Sequence, residues 1–155
     1  MKLKVLGCSG GIGGRHLRTT SLLLDNDILI DAGTGVGDVS LVELMLIDHI
    51  FLTHSHLDHV CCIPFLVDTV GGMRNKPLIV HAAEPTLEIL RNHLFNWSIW
   101  PDFAQIPSPE KPFLRYREIQ VGVFQDYNRI LTAHLTLHLG AAARSLFVKS
   151  DANSI

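Results

Sequence analysis

A chain of 155 residues suits one domain with a buried core, and its 47 % apolar content can fill that core. The formal net charge is −2, with 13 Lys and Arg against 15 Asp and Glu, so there is no basic footprint of the kind that binds a nucleic-acid polymer. The longest apolar run, residues 60–67, contains Pro64 and is too short to span a bilayer, so no membrane span and no membrane partner are expected.

Residues 2–6 alternate and predict a strand, followed by a glycine-rich loop over 7–14. Residues 21–25 and 27–31 read as a hairpin closed at Asn26. Helical spacing over 39–47 leads into a strand over 49–53. A histidine-rich loop then opens a helix predicted to run to about Val70, where Gly71 and Gly72 end it. A short strand over 78–81 precedes a helix over 84–95 with Pro85 in its first turn. Residues 96–112 form a loop with four prolines and the large aromatics Trp97, Trp100 and Phe103. Strands are predicted over 118–124, 129–139 and 144–149. No repeat or linker divides the chain, so residues 1–155 are expected to form a single domain. Strands and helices mix without regular alternation, which favours a layered α/β sandwich over a doubly wound sheet.

The apolar start after Met1 and Lys2 is too short for a signal peptide, and Cys8, Cys61 and Cys62 make no disulfide framework; both suit a reducing cytoplasm. Buried packing is the expected role of the adjacent Cys61 and Cys62.

Residues 53–59 read Thr-His-Ser-His-Leu-Asp-His. With nine histidines in the chain some clustering is expected, but His54, His56, Asp58 and His59 follow an apolar strand in a specific pattern. Nitrogen and oxygen donors without cysteine suit Zn, Mn or Fe in hydrolysis rather than a closed structural zinc site. His54 and His56 lie two apart on an extended segment and face one side, so both reach one metal. Asp58 and His59 open the following helix and serve a second. A third ligand for the first metal must come from afar, and His134 and His138 are the candidates. On a strand they lie ~13 Å apart and cannot share one ion. His16, His49, His81 and His93 stand alone and read as surface or hydrogen-bonded histidines. Asp31, at a strand end before Ala-Gly-Thr-Gly, reads as a support that accepts backbone N–H bonds and holds the metal loop.

Two further patterns are weaker. Gly7-Cys8-Ser9-Gly10-Gly11 matches a nucleophile elbow, but a turn is the better reading of Ser9 among so many glycines. Gly7-x-x-x-Gly11-Ile12-Gly13, after a strand, resembles the cofactor-binding turn of short-chain dehydrogenases. The Tyr-x-x-x-Lys pair such an enzyme needs is missing, because Gln120 and Leu131 stand where lysine would follow Tyr116 and Tyr127.

The metal motif resembles the signature of the metallo-β-lactamase fold superfamily of metal-dependent hydrolases. With Leu57 before Asp58, it is most like class II 3′,5′-cyclic-nucleotide phosphodiesterases. Leu29 to Gly35 resembles the strand-Asp-Gly turn that precedes the metal loop, and residues 95–103 resemble a segment of those phosphodiesterases. The resemblance implies an αββα sandwich and two divalent metals, zinc by default. It implies a small-molecule cyclic nucleotide such as cAMP as substrate, hydrolysed by metal-activated water. His54, His56 and His138 would hold one metal and Asp58 and His59 the other, with Asp58 as the catalytic carboxylate. His138 is preferred to His134 because the family's ligand opens a loop, here residues 139–145. Independently of the resemblance, Trp97, Trp100 and Phe103 each read singly as cover for the core, and as a group, with prolines stiffening the loop, as a pocket wall on which a purine could stack.

Relatives of this fold are longer, and supply a Gly-Asp turn and a late histidine. Neither is found here after Gly140, so the resemblance implies a second half cut short at the C-terminus, weak binding of the second metal, reduced activity, and exposed edges that favour a homodimer. The alternatives are another hydrolase of the same fold (ribonuclease Z-like, lactonase or thioesterase) or an inactive metal-binding fragment.

Overall fold

The computed structural model describes residues 2–12 and 14–119, together with the backbone of three later strands. Six strands form one mixed sheet in chain order: β1 (Leu3–Gly7), β2 (Ser21–Leu24), β3 (Ile28–Ile30), β4 (His49–Phe51), β5 (Leu78–Ala82) and β6 (Leu114–Glu118). β1, β2 and β3 pair antiparallel, whereas β3 through β6 run parallel. A second, antiparallel sheet holds β7 (Gly122–Asp126), β8 (Arg129–His138) and β9 (Ala141–Ser150).

The strand register explains the two-sided burial. Leu29, Ile50 and Val80 face one side and pack with Ile63, Leu66, Val67 and Val70 from the helices. Their neighbours Leu24, Ile28, Ile30 and Phe51 form a separate buried cluster on the other side. All three residues of β3 are buried, as expected for a strand covered on both faces.

Among the described residues, four α-helices accompany these strands: α1 (Leu41–Leu46), α2 (Leu57–Val60), α3 (Ile63–Val70) and α4 (Glu84–Ile89). α1 starts at a capping box, in which the Ser40 hydroxyl accepts from the Glu43 N–H while the Glu43 carboxylate accepts from the Ser40 N–H. A turn of 3₁₀-helix, Thr34–Asp38, precedes it.

Three sequence expectations change. The helix expected from the metal loop to Val70 is two helices, broken at Cys61 and Cys62. In a continuous helix the Pro64 ring would clash with the Val60 carbonyl, and Pro64 has no N–H to give it. The Cys62 N–H instead donates to the Ala32 carbonyl at 2.9 Å, tying the break to the turn after β3. The helix expected over 84–95 continues past α4 as a π-helical turn, Leu90–Leu94, closed by the Phe95 N–H on the Leu90 carbonyl. The strand expected over 118–124 is the end of β6 and the start of β7, with residues 120 and 121 outside the described set. Among the described residues, no helix is long and apolar enough to cross a membrane.

Candidate metal centre

The parallel pairing of β3 with β4 places Ile30 opposite Phe51. The next residues, Asp31 and then Leu52 and Thr53, therefore leave the sheet side by side at the carboxyl ends of their strands, the usual position of a site in an open α/β sheet. The Asp31 N–H donates to the Phe51 carbonyl at 2.8 Å and locks this exit. Asp31 takes a positive φ of 54° that turns the chain away from the sheet. Its side chain is buried and its Oδ1 accepts the Thr53 N–H at 2.9 Å. The support inferred for Asp31 from sequence is therefore present, and extends to side chains. Oδ2 lies 2.8 Å from His59 Nδ1.

His56 caps α2 and Asp58 sits in its first turn. The turn is clamped from behind by backbone: the Ala32 N–H donates to the His59 carbonyl at 2.6 Å. Gly33 makes this approach possible. A Cβ there would lie 2.5 Å from the Asp58 carbonyl oxygen and 2.3 Å from Thr19 Oγ1.

The loop brings three imidazoles together. The His54 ring centroid lies 4.5 Å from that of His56 and 4.1 Å from that of His59. Asp58 Oδ2 lies 3.3 Å from His59 Nε2. Burial holds the His54 pKa below its ordinary value, and the charges of His59 and His56 push the same way. The hydrogen bond to Asp31 raises that of His59 against an opposing effect of burial, with the charges of Asp31 and Asp58 adding to the rise. The proton so favoured on His59 lies beside the Asp58 carboxylate. Metal binding must displace protons of this kind from its ligands.

The donor set fits a divalent cation by chemistry: imidazole nitrogens, a carboxylate, and Nδ1 atoms of His54 and His59 already engaged by Thr53 and Asp31. Among the described residues no three such side chains converge on one metal position. The pairs His54–His56 and Asp58–His59 are each incomplete, and a further donor is needed. His138, the candidate from sequence, is the last residue of β8, and its side chain lies outside the described residues, as does that of His134. The loop expected over 139–145 is shorter, since β9 begins at Ala141.

Other sequence candidates are placed differently. Phe103 is buried against Phe95 and Phe113, and Trp100 packs on the core and on Phe65 at 5.1 Å. These two complete the core under the 96–112 loop, the role expected of each taken singly; Trp97 alone of the three is largely exposed. Ser9, expected in a turn, instead forms an isolated parallel bridge with Thr19, its N–H donating to the Arg18 carbonyl at 2.9 Å. Cys61 and Cys62 are half-buried behind the loop, and burial pushes the Cys62 thiol up to about 12. Residues that sequence reasoning missed are Thr53, which contacts Asp31, His54 and His59, and Gly33 as the backbone clamp. A hydroxyl directly before the first histidine was the available signal. A cavity of about 480 Å³ lies at the amino-terminal ends of β5 and β6, lined by Arg74, Lys76, Lys111 and Arg115 among others, and the metal loop does not line it.

The family model for class-II cAMP phosphodiesterases matches residues 41–141. A probable 3′,5′-cyclic-nucleotide phosphodiesterase of Yersinia pestis is 35 % identical over 127 residues, covering 64 % of this chain and 35 % of that one. A ribonuclease Z of Methanocaldococcus jannaschii is 29 % identical over 145 residues, covering 89 % and 44 %. The chain thus spans less than half the length of either relative. Among solved structures, a metallo-β-lactamase fold protein from Bacillus subtilis, YhfI, superposes with a TM-score of 0.70 at 16 % identity, covering 97 % of this chain and 59 % of that one. Unliganded yeast PDE1 gives 0.69 at 14 % identity, covering 94 % and 60 %. These likenesses show the metallo-β-lactamase fold.

Proposed function

Because the chain belongs to the class-II cAMP phosphodiesterase family, we propose that its metal loop serves the hydrolysis of a 3′,5′-cyclic nucleotide such as cAMP. The observation that carries this reading is the gathering of His54, His56 and His59 at the carboxyl ends of β3 and β4, beside Asp58 and over the buried Asp31. His54 and His56, with His138 as third donor, would hold one divalent cation; Asp58 and His59 would hold a second. Such cations supply Lewis-acid neutralisation of phosphoryl charge and a water of lowered pKa.

The chain's own residues do the rest. Asp31 holds the His59 ring in place. The backbone clamp at Ala32 and Gly33 fixes the height of Asp58 and His59 above the sheet. Asp58, 3.3 Å from His59 Nε2, would ligate as the ionised carboxylate, so the proton favoured on His59 would have to leave to solvent for both to serve as donors. Zinc is the default ion for this donor set, and Mn or Fe suits it as well. The substrate would be a small molecule, and the balanced charge of the chain favours it over a polymer.

The ribonuclease Z relative supports a second reading, in which the same centre cleaves an RNA phosphodiester. Turnover of cAMP by the zinc- or manganese-loaded chain, set beside cleavage of a 3′-extended tRNA precursor and with His54→Ala as control, decides between them. cAMP hydrolysis lost in His54→Ala supports the first reading. RNA cleavage alone replaces it with the second, and neither activity overturns the catalytic proposal.

A further inference from the structure

Thr53 is neither a metal donor nor a core residue, yet its hydroxyl touches both ligand pairs. Oγ1 lies 3.0 and 2.8 Å from the two carboxylate oxygens of Asp31, 2.9 Å from Nδ1 of His54 and 3.5 Å from Nδ1 of His59. Counting protons fixes the direction of these bonds. A carboxylate accepts, and a hydroxyl has one proton to give. That proton goes to Asp31. Oγ1 then only accepts, so Nδ1 of His54 must carry the hydrogen. Nδ1 of His59, at 2.8 Å from Asp31 Oδ2, must carry one for the same reason.

We infer that Asp31 sets one imidazole in each ligand pair as its Nδ1–H tautomer, His59 directly and His54 through the Thr53 hydroxyl, which leaves both Nε2 atoms able to ligate. The consequence for metal binding rests on the metal-centre reading above; the tautomers do not. Thr53 is a positioning residue. It holds the His54 ring at a fixed rotation and removes the competing Nε2–H form, which cannot bind a metal through that atom.

The test uses the full metal-free chain at pH 8 and reads the His54 tautomer from ¹⁵N–¹H correlations of the ring. Nδ1–H is expected in the natural chain and in Thr53→Ser, and a shift towards Nε2–H in the near-isosteric Thr53→Val. Zinc affinity, measured against a competing chelator, is expected to fall about 10–100-fold in Thr53→Val and to recover in Thr53→Ser. An Nε2–H His54 in the natural chain overturns the inference whatever the variants do, as does an unchanged tautomer in a folded Thr53→Val. Absence of zinc binding by the natural chain counts against the metal centre alone, because the tautomers are read without metal.

Discussion

His49 and His81 meet within the sheet: Nδ1 of the first lies 3.0 Å from Nε2 of the second, and the His81 ring stacks on Phe51 at 4.3 Å. An imidazole pair of this kind shares one proton and has no room for two cations. Burial pushes the His81 pKa down to about 3, helped by the charges of His49 and Arg117.

The sign of the resulting pH dependence is set by that depression. Below the ordinary histidine value of 6.5 the unfolded chain binds a proton that the folded chain refuses, so stability falls with acidification between about pH 6.5 and 3. The expected slope from this residue is about 1.4 kcal/mol per pH unit. Denaturant unfolding of the natural chain and His81→Phe across this range checks it: the two stabilities should diverge with pH at that rate. Parallel curves would show that His81 contributes no linkage.

His54→Ala should remove at least one equivalent of metal from protein purified without chelator. The ring lies 4.1–4.5 Å from both other loop imidazoles, so no single-pair substitute remains for it. Metal content by elemental analysis gives the answer, and an undiminished content would place the metal elsewhere.

Gly33→Ala and Gly37→Ala differ by one methyl each and should behave oppositely. The added Cβ at residue 33 meets Thr19 Oγ1 at 2.3 Å and the Asp58 carbonyl at 2.5 Å, whereas at residue 37 it meets nothing within 4 Å. Overpacking at 33 should cost about 1–3 kcal/mol and weaken zinc binding by shifting Asp58. Gly37→Ala should change neither by more than about 0.5 kcal/mol. Thermal melts with and without zinc measure both effects, and equal behaviour of the two variants refutes the clamp.

Arg74 ties the loop after α3 to the entry of β4. Its guanidinium donates to the Met45 carbonyl and pairs with Asp48 at 2.5 Å, with the arginine side chain only 4 % exposed. Arg74→Met should leave the Met45 carbonyl and Asp48 short of a donor and cost about 2 kcal/mol. Lys76, the second partner of Asp48, is 60 % exposed, so Lys76→Met should cost far less. Urea midpoints rank the two, and a reversed order would mean that the buried pair is not the anchor.

Where local pattern decides structure, the sequence was readable. β1 to β5 fall where alternation or apolar runs place them, and the 53–59 motif sits on a strand exit as its residue types demand. Failures lie where distant contacts decide. The helix break at Cys61 depends on the Ala32 carbonyl as well as on Pro64. β6 was missed because Arg115, Arg117 and Glu118 give it a weak apolar signal, and only pairing with β5 makes it a strand. Of the site, the histidines and Asp31 were legible by spacing and position, whereas the part played by Thr53 requires knowing that β3 and β4 are adjacent.

That adjacency changes what should be searched for in related chains. Thr53 follows Asp31 by 22 positions, and the side-chain hydrogen bonds between them need a hydroxyl at residue 53. The diagnostic string is therefore wider than its histidines: an aspartate at the end of one strand, then Ser or Thr immediately ahead of His-x-His-x-Asp-His at the end of the next. A chain that keeps the histidines but carries valine or alanine in that hydroxyl slot should be sorted among the weak metal binders before any assay is run.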